Sequence, residues 1–432
     1  MLDIKYIREN KELVKKAAKD KLLNVDIDKL LVLDAELRDL TQRIDILKSQ
    51  RNEISTMIPG LSADAKQKLV DKVKNIKDNI SKLEEELTPI KTEYTDLMYR
   101  VPSVPMDEVP IGKTDEDNVE ISRYGQIPKF DFPIKDHVTL AEDLDLVDIP
   151  RGAKVSGARF YYLKNEAVLL EMAICRYVLD KLIKKGFTPF EVPMLVKEEA
   201  MYGTSYFPNG RDQAYAIPED NLYLVGTAEV SLVSYHSGET FNSPNELPKM
   251  YCGLSSCFRR EAGTYGKDTR GLYRVHQFTK IEQVILCEAD KKKEYELHNF
   301  LLHNAEEIMQ DLNIPYRVVK VCTGDMGIGQ VRKHDIEAWM PSRGKYSETH
   351  SCSSFDDFQA RRSNIKYKDK DGTTKYVYSL NNTAIASPRI LIPILELNQN
   401  PDGSVTIPKV LRPYMNNMEK IEPKNKKQNE NK

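Results

Sequence analysis

Two apolar series dominate the first hundred residues, and every step within them is three or four residues long. The first is Leu30, Leu33, Leu37, Leu40, Ile44, Leu47, Arg51, Ile54 and Ile58. The second is Leu69, Val73, Ile76, Ile80, Leu83, Leu87, Ile90, Tyr94 and Leu97. That spacing places each series on one helical stripe, the seam of a coiled coil. Pro59-Gly60 separates them as a breaker pair. Two seams joined by so short a turn must fold back as an antiparallel hairpin. Thirty residues at ~1.5 Å rise make an arm of roughly 45 Å. Pro89 interrupts the second series without ending it, which predicts a kink. Arg51 holds a seam position where its head must snorkel outward. Ahead of the hairpin, Ile4, Ile7, Leu13, Val14 and Ala17 suggest a short amphipathic opener.

Charge says little about a partner. Residues 28–100 carry thirteen Lys/Arg against fourteen Asp/Glu, so the hairpin is no basic rod. On its own it reads as a dimerisation or scaffold element. RNA binding would need a few placed cations such as Lys48, Arg51, Lys72, Lys74 and Lys77. The 432-residue chain has a formal net charge of −2, which gives no global attraction to nucleic acid. Six scattered cysteines (Cys175, Cys252, Cys257, Cys287, Cys322 and Cys352) form no CxxC pair, so free thiols in a reducing cytosol are expected, and no zinc. The charged N-terminus has no signal core, and no run of eighteen apolar residues could span a membrane.

Four segments follow from these shifts in composition: a helical arm over 1–100, a proline-rich linker over 101–137, a large domain over 138–418, and a Lys/Asn-rich tail over 419–432 read as disordered. In the large domain, helices alternate with mixed apolar runs such as Leu222-Tyr223-Leu224-Val225 and Ile390-Leu391-Ile392, both read as strands. There is no βαβ rhythm and no GxGxxG, so the class is α+β on a mostly antiparallel sheet.

Polar clusters inside this domain are candidates for chemistry. Arg259 follows Cys257-Phe258 and can emerge from a strand end, although an Arg-Arg-Glu triplet is more often solvated surface. Gly263, Gly266 and Gly271 space a basic loop of Tyr265, Lys267, Asp268 and Arg270, suited to polyphosphate or a nucleic-acid end. Thr227 and Glu229 read either as an exposed strand end or as recognition of a small cationic ligand. Glu282 either pairs with an ammonium or faces solvent. Glu348 with the hydroxyls after it can hold Mg²⁺, a hard cation. His350 reads as structural. Arg389 precedes an apolar run, where a buried charge needs an anion.

Together these segments resemble the class II aminoacyl-tRNA synthetases, the seryl family in particular. Gly186-Phe187-Thr188-Pro189-Phe190-Glu191-Val192-Pro193 is similar to motif 1. Phe258-Arg259-Arg260-Glu261 through His276-Gln277-Phe278 is similar to motif 2, and Ala386-Ser387-Pro388-Arg389-Ile390 to motif 3. Thr227-Ala228-Glu229 resembles the serine loop, and the hairpin the tRNA-binding arm. Asn381-Asn382-Thr383-Ala384 and Arg260 depart from common bacterial patterns, the former toward eukaryotic and archaeal forms.

The resemblance implies a six- or seven-stranded antiparallel sheet and a cytoplasmic homodimer formed through motif 1. It implies activation of L-serine with ATP and Mg²⁺, and transfer to tRNA(Ser), with tRNA(Sec) as a second candidate acceptor. Arg259 and Arg389 would be catalytic. Thr227, Ala228, Glu229, Arg259, Glu282, Asn381 and Thr383 would bind serine. ATP would meet Arg259, Arg260, Glu261, Arg274, Val275, His276, Gln277, Phe278, Glu348, Thr349, His350, Ser351 and Arg389, with Mg²⁺ on Glu348 and Ser351. Two other readings are a ligase acting on a carrier protein and a silent coiled-coil interaction protein. The long arm argues against the first, and the retained arginines and Glu282 against the second.

Overall fold

A computed structural model describes residues 1–57, 59, 62–263 and 270–424. Ile58, Gly60, the loop residues Tyr265, Gly266, Lys267 and Asp268, and the tail beyond 424 lie outside the described residues. The chain divides into two compact units, Leu2–Pro102 and the residues from Ser103 onward.

The first unit is helical: α1 Ile4–Glu9, α2 Lys11–Asp20, α3 Ile27–Met57 and α4 Ala63–Arg100. Asp3 caps α1, its carboxylate accepting from the Lys5 N–H at 2.8 Å. Ile7, Val14 and Ala17 are buried as the opener requires, whereas Leu13 faces solvent. Leu40, Ile44 and Ile54 of α3 pack with Ile76, Ile80 and Leu83 of α4. Lys29 pairs with Glu93 and Lys48 with Glu84, an order that makes the two helices antiparallel. α4 runs through Pro89 without ending. Arg51 is half-buried and turns its guanidinium to the Asn52 side-chain oxygen, with Nη2 at 3.1 Å.

The second unit is built on one sheet. Its strands are β1 Val119–Tyr124, β2 Thr188–Glu191, β3 Lys249–Phe258, β4 Gln277–Cys287, β5 Tyr316–Lys320, β6 Arg332–Met340, β7 Lys345–Ser354 and β8 Tyr378–Ser387. Their spatial order is β1-β5-β6-β7-β8-β4-β3-β2. Neighbours are antiparallel except β2 and β3. Eight strands replace the expected six or seven. The added edge strand is β1, inside the segment read as linker, where Val119 and Ile121 alternate with polar residues between flanking prolines.

Helices α5 Glu166–Lys184, α6 Glu229–Ser234, α7 Lys291–Asp311 and α8 Leu391–Leu397 complete the frame. Leu170, Ile174 and Val178 of α5 and Leu301 and Ile308 of α7 form one core with Ile281, Ile285, Ile336 and Ile385 from one face of the sheet. At ~1.5–3 kcal/mol for each large apolar side chain buried, this layer is the unit's main stabilising term. The opposite face carries a smaller cluster, in which Leu232 and Val233 of α6 meet Val284 and Leu286. Beside that cluster the face borders a cavity. Leu391 and Ile392 lie in α8, not in a strand: a short apolar run has no period that separates the two. All six cysteines are buried and unpaired. Among the described residues no helix is long and apolar enough to cross a membrane.

Candidate active site

Strands β4, β6, β7 and β8 line a cavity of about 350 Å³ on the sheet face of that smaller cluster. On β4 the two-residue step of a strand points Phe278, Lys280 and Glu282 into it, while Ile281 and Ile285 go to the core. β7 and β8 need more than alternation. Ile336 pairs with His350 and Glu337 with Glu348, which leaves Thr349 as an extra residue in β7. This bulge turns Glu348 to the same side as Ser351. In β8, Ile281 pairs with Ile385 and Glu282 with Thr383, so Ala384 is extra and Thr383 shares a face with Ala386.

His350 ties the two bulges together beneath the cavity. Its Nε2–H donates to the Ala384 carbonyl at 3.1 Å, and its Nδ1 lies 2.8 Å from the Thr349 hydroxyl. Burial pushes the imidazole down to about 4, so the ring is neutral and structural.

One end of the cavity is anionic. Glu229 opens α6 in a buried turn, not at an exposed strand end. Thr227 is buried too, its hydroxyl accepting the Glu229 N–H at 3.2 Å. Ala228 packs over Gly253, where a Cβ would come within 2.9 Å of its own. The Gln359 amide donates to Glu229 Oε1 at 2.7 Å, and the Tyr206 hydroxyl to Oε2 at 3.3 Å. Burial and the neighbouring Glu282 push Glu229 up to about 7 against these donors and Lys280. Glu282 is buried rather than solvated; it is ion-paired with Lys280 and accepts from the Thr383 hydroxyl at 3.4 Å. Asn381 lines the same end.

The other end carries the arginines. Arg259 lies over Phe278 at 5.2 Å and donates to the Gly226 carbonyl from Nη2 at 3.3 Å. Arg389 stacks on Tyr273 at 4.4 Å, and its expected anion partner is Glu348, at 3.8 Å. Burial pushes the Glu348 carboxyl up, but Arg389, Lys333, Arg259 and Arg274 outweigh it and hold it below its ordinary value. Glu261 sits at φ +51° and accepts from Arg274 at 2.7 Å. Gly271, at φ +85°, allows the returning strand to pass His137, whose Nε2 accepts the Leu272 N–H at 3.2 Å. A Cβ on Gly271 would meet that ring nitrogen at 2.3 Å.

Twelve of the expected residues meet in the cavity: Glu229, Arg259, Glu261, Val275, Phe278, Glu282, Glu348, Thr349, Ser351, Asn381, Thr383 and Arg389. Seven do not line it. Thr227 and Ala228 build its wall from behind, and His350 lies below the sheet. Arg274 borders the adjoining cleft, with Lys333 and Asp335. Arg260 and Gln277 are exposed, and His276 turns its Nδ1 to the Arg259 carbonyl at 2.8 Å. Lys280, Tyr206, Gln330 and Lys333 also line the cavity and were not expected. Only strand alternation, from Phe278 through Lys280 to Glu282, could have signalled any of them.

An antiparallel sheet with a parallel edge strand, and an arginine from each of two segments facing one cleft, define a class II aminoacyl-tRNA synthetase core. A family model for the tRNA synthetase class II core domain (G, H, P, S and T) matches residues 215–398, and one for the seryl-tRNA synthetase N-terminal domain matches residues 1–105. The serine–tRNA ligase of Deinococcus radiodurans is 44% identical over 419 residues, covering 97% of this chain and 98% of that protein. The crystal structure of seryl-tRNA synthetase from Pyrococcus horikoshii complexed with ATP superposes with a TM-score of 0.88 at 40% identity, over 98% of this chain and 100% of that one. That of the cytoplasmic serine–tRNA ligase from Naegleria fowleri in complex with AMP gives 0.85 at 31%, over 98% and 99%. The chain belongs to the seryl-tRNA synthetase family.

Proposed function

We propose that the chain activates L-serine with ATP to seryl-adenylate and transfers the serine to tRNA(Ser). The observation that carries this is the charge layout of one small cavity: two carboxylates, Glu229 and Glu282, at one end and Arg259 and Arg389 toward the other. Serine's carboxylate is already a nucleophile at neutral pH, so adenylation needs no general base. The barrier is the approach of two anions, and placed cations lower it. Arg259 would bridge the serine carboxylate and the α-phosphate, and Arg389 would hold the γ-phosphate. Glu261 would meet the adenine amino group, with Phe278 on the ring face. Glu229 would take the ammonium. Glu282 and Thr383 would take the hydroxyl, with Asn381 beside them. Alanine would leave those polar groups unpaired, a large penalty.

Glu348 and Ser351 offer oxygen donors on one side of β7, a set that fits Mg²⁺ with phosphate oxygens and water completing its shell. Bound there, the ion would neutralise phosphate charge. Val168, Leu169 and Met172, exposed on α5, together with the edge strand β2, support a homodimer through motif 1. Unpaired cysteines suit a reducing cytoplasm. Residues 28–100 would bind tRNA, and tRNA(Sec) is a further acceptor to assay. The deciding experiment is amino-acid-dependent ATP–pyrophosphate exchange across all twenty amino acids. Serine alone should support rapid exchange; faster exchange with threonine, alanine or proline would refute the assignment.

A further inference from the structure

Lys280 poses a problem for a pocket that must receive an ammonium: it is already a cation, buried in the wall beside Glu282. Its surroundings show what it balances. From β3 it is faced by Ser255, across the ladder, and by Cys257, with Arg259 just past the end of the strand. β8 contributes the uncharged Ala386 opposite it and Thr383 and Asn381 beyond. Glu229 comes from α6 and the Tyr206 phenol from the turn after residue 203. Cys352 of β7, a thiol pushed well up by burial, packs in the core and feels the charge of Glu282. The charged groups are thus two carboxylates and two cations, and one of the cations, Arg259, is needed by the substrate carboxylate.

Two carboxylates sharing a dry site without a cation keep one proton between them, because both cannot ionise together. A carboxylic acid gives an ammonium no ionic partner. We propose that Lys280 is a positioning residue for serine: fixed on Glu282, it opposes protonation of Glu229, so that the substrate ammonium, rather than a proton, becomes the second counter-cation. This rests on the serine reading of the cavity. Burial and Glu282 already bring Glu229 up to about 7 with Lys280 opposing them, so removal of the lysine must carry it further up. Serine would then compete with a proton across the physiological range.

The test is the pH profile of ATP–pyrophosphate exchange by the full-length enzyme between pH 6 and 9. In the wild type, log kcat/KM for serine should climb to about pH 7 and level off. In K280M the climb should continue at least one unit higher, a loss of about fivefold or more in kcat/KM at pH 7 that alkali restores, since a rise of one unit from about 7 takes the ionised fraction at pH 7 from about one half to about one tenth. The loss should fall on KM for serine, with KM for ATP unchanged. K280R should keep the wild-type inflection. E229Q/K280M, which removes the cation with one carboxylate, should bind serine poorly at every pH and show no inflection. That charge-matched variant and K280Q carry the test if K280M does not fold. A K280M or K280Q profile of wild-type shape, whatever its height, overturns the proposal, as does an inflection that persists in E229Q/K280M. A wild type inert with serine would instead overturn the assigned activity.

Discussion

The hairpin and the sheet place their charges on opposite sides of the packing. In the hairpin, apolar seams meet and, apart from Asp34 near its base, charge stays outside: Lys48 and Glu84 pair with 43% and 49% of their side chains exposed. In the sheet, charge is enclosed: Lys280 and Glu282 pair with 7% and 3% exposed. Water screens the first kind of pair and weakens it, while the second is strong only if every partner is present. The hairpin should therefore tolerate loss of any one of these exposed charges, and the cavity should not.

The largest expected effect lies in the cavity. Arg389→Ala should lower serine-dependent exchange by about a hundredfold or more, since a transition-state contact to a charged group is worth ~3 kcal/mol. The fold should survive, because Arg389 rests on Tyr273 and Glu348 at the cavity's edge and not in the core. Arg259→Ala should be at least as severe. A folded Arg389→Ala variant with near-normal exchange would remove the phosphate role and erase the contrast with the hairpin.

Deleting residues 30–97 and closing the gap with a short Gly/Ser linker probes the other side. Exchange should stay near wild type, because every cavity residue lies beyond residue 200. Charging should fall by about a hundredfold in kcat/KM for tRNA, with a shallower salt dependence as phosphate contacts are lost. Intact charging would make the hairpin a scaffold.

Acid should separate the two units as well. All seven histidines lie outside the hairpin. Burial pushes His334 and His350 down from 6.5 to about 4, and His298, whose Nε2 lies 2.8 Å from His334 Nδ1, is driven well below its ordinary value. These rings are neutral when folded, and the unfolded chain takes up their protons first. Their contribution is intact above about pH 6.5 and is lost as pH falls toward 4, at about 1.4 kcal/mol per unit for each ring. Glu229 and Asp335, both brought up to about 7, bind their protons more tightly when folded and offset about two of the rings over this range. Trp339, the single tryptophan, lies in β6 and reports the sheet alone. Its fluorescence melt should therefore drop by only about two to four degrees from pH 7 to 5, ahead of the helical signal by far-UV circular dichroism. Coincident shifts would contradict this.

The same contrast decides what could be read without coordinates. A period of 3.5 shows which hairpin residues touch, because helix geometry repeats, and Leu40, Ile44, Ile76 and Ile80 pack as that period requires. The cavity breaks its own period. Thr349 and Ala384 are inserted residues, so no alternation from Glu348 reaches Ser351, or from Thr383 reaches Ala386. Those positions follow from resemblance to a family, not from pattern. His350 and Gln277 rest on the same resemblance, and the first turns its ring under the sheet while the second points outward. Lys280 stands between two expected residues without a signal of its own, since a lysine in a strand looks like surface until its partner is seen.

The smallest expected effect is the sharpest check on the hairpin. Lys48 and Glu84 join α3 to α4 at 2.8 Å and serve no seam position. A double-mutant cycle with Lys48→Ala and Glu84→Ala isolates the pair from its neighbours. For so exposed a pair, each side chain loses rotamer freedom and gains only a screened attraction. The coupling energy should be ~0.2–1 kcal/mol by thermal melting, and it should fade as salt is raised from 0.1 to 1 M. Lys48→Ala should also reduce the salt slope of tRNA binding by about one if that cation meets a phosphate, whereas Glu84→Ala should leave the slope unchanged. A coupling well above 1 kcal/mol that resists salt would mean that charge helps to hold the hairpin together, and the division between outside and inside charge would fail on the hairpin's side.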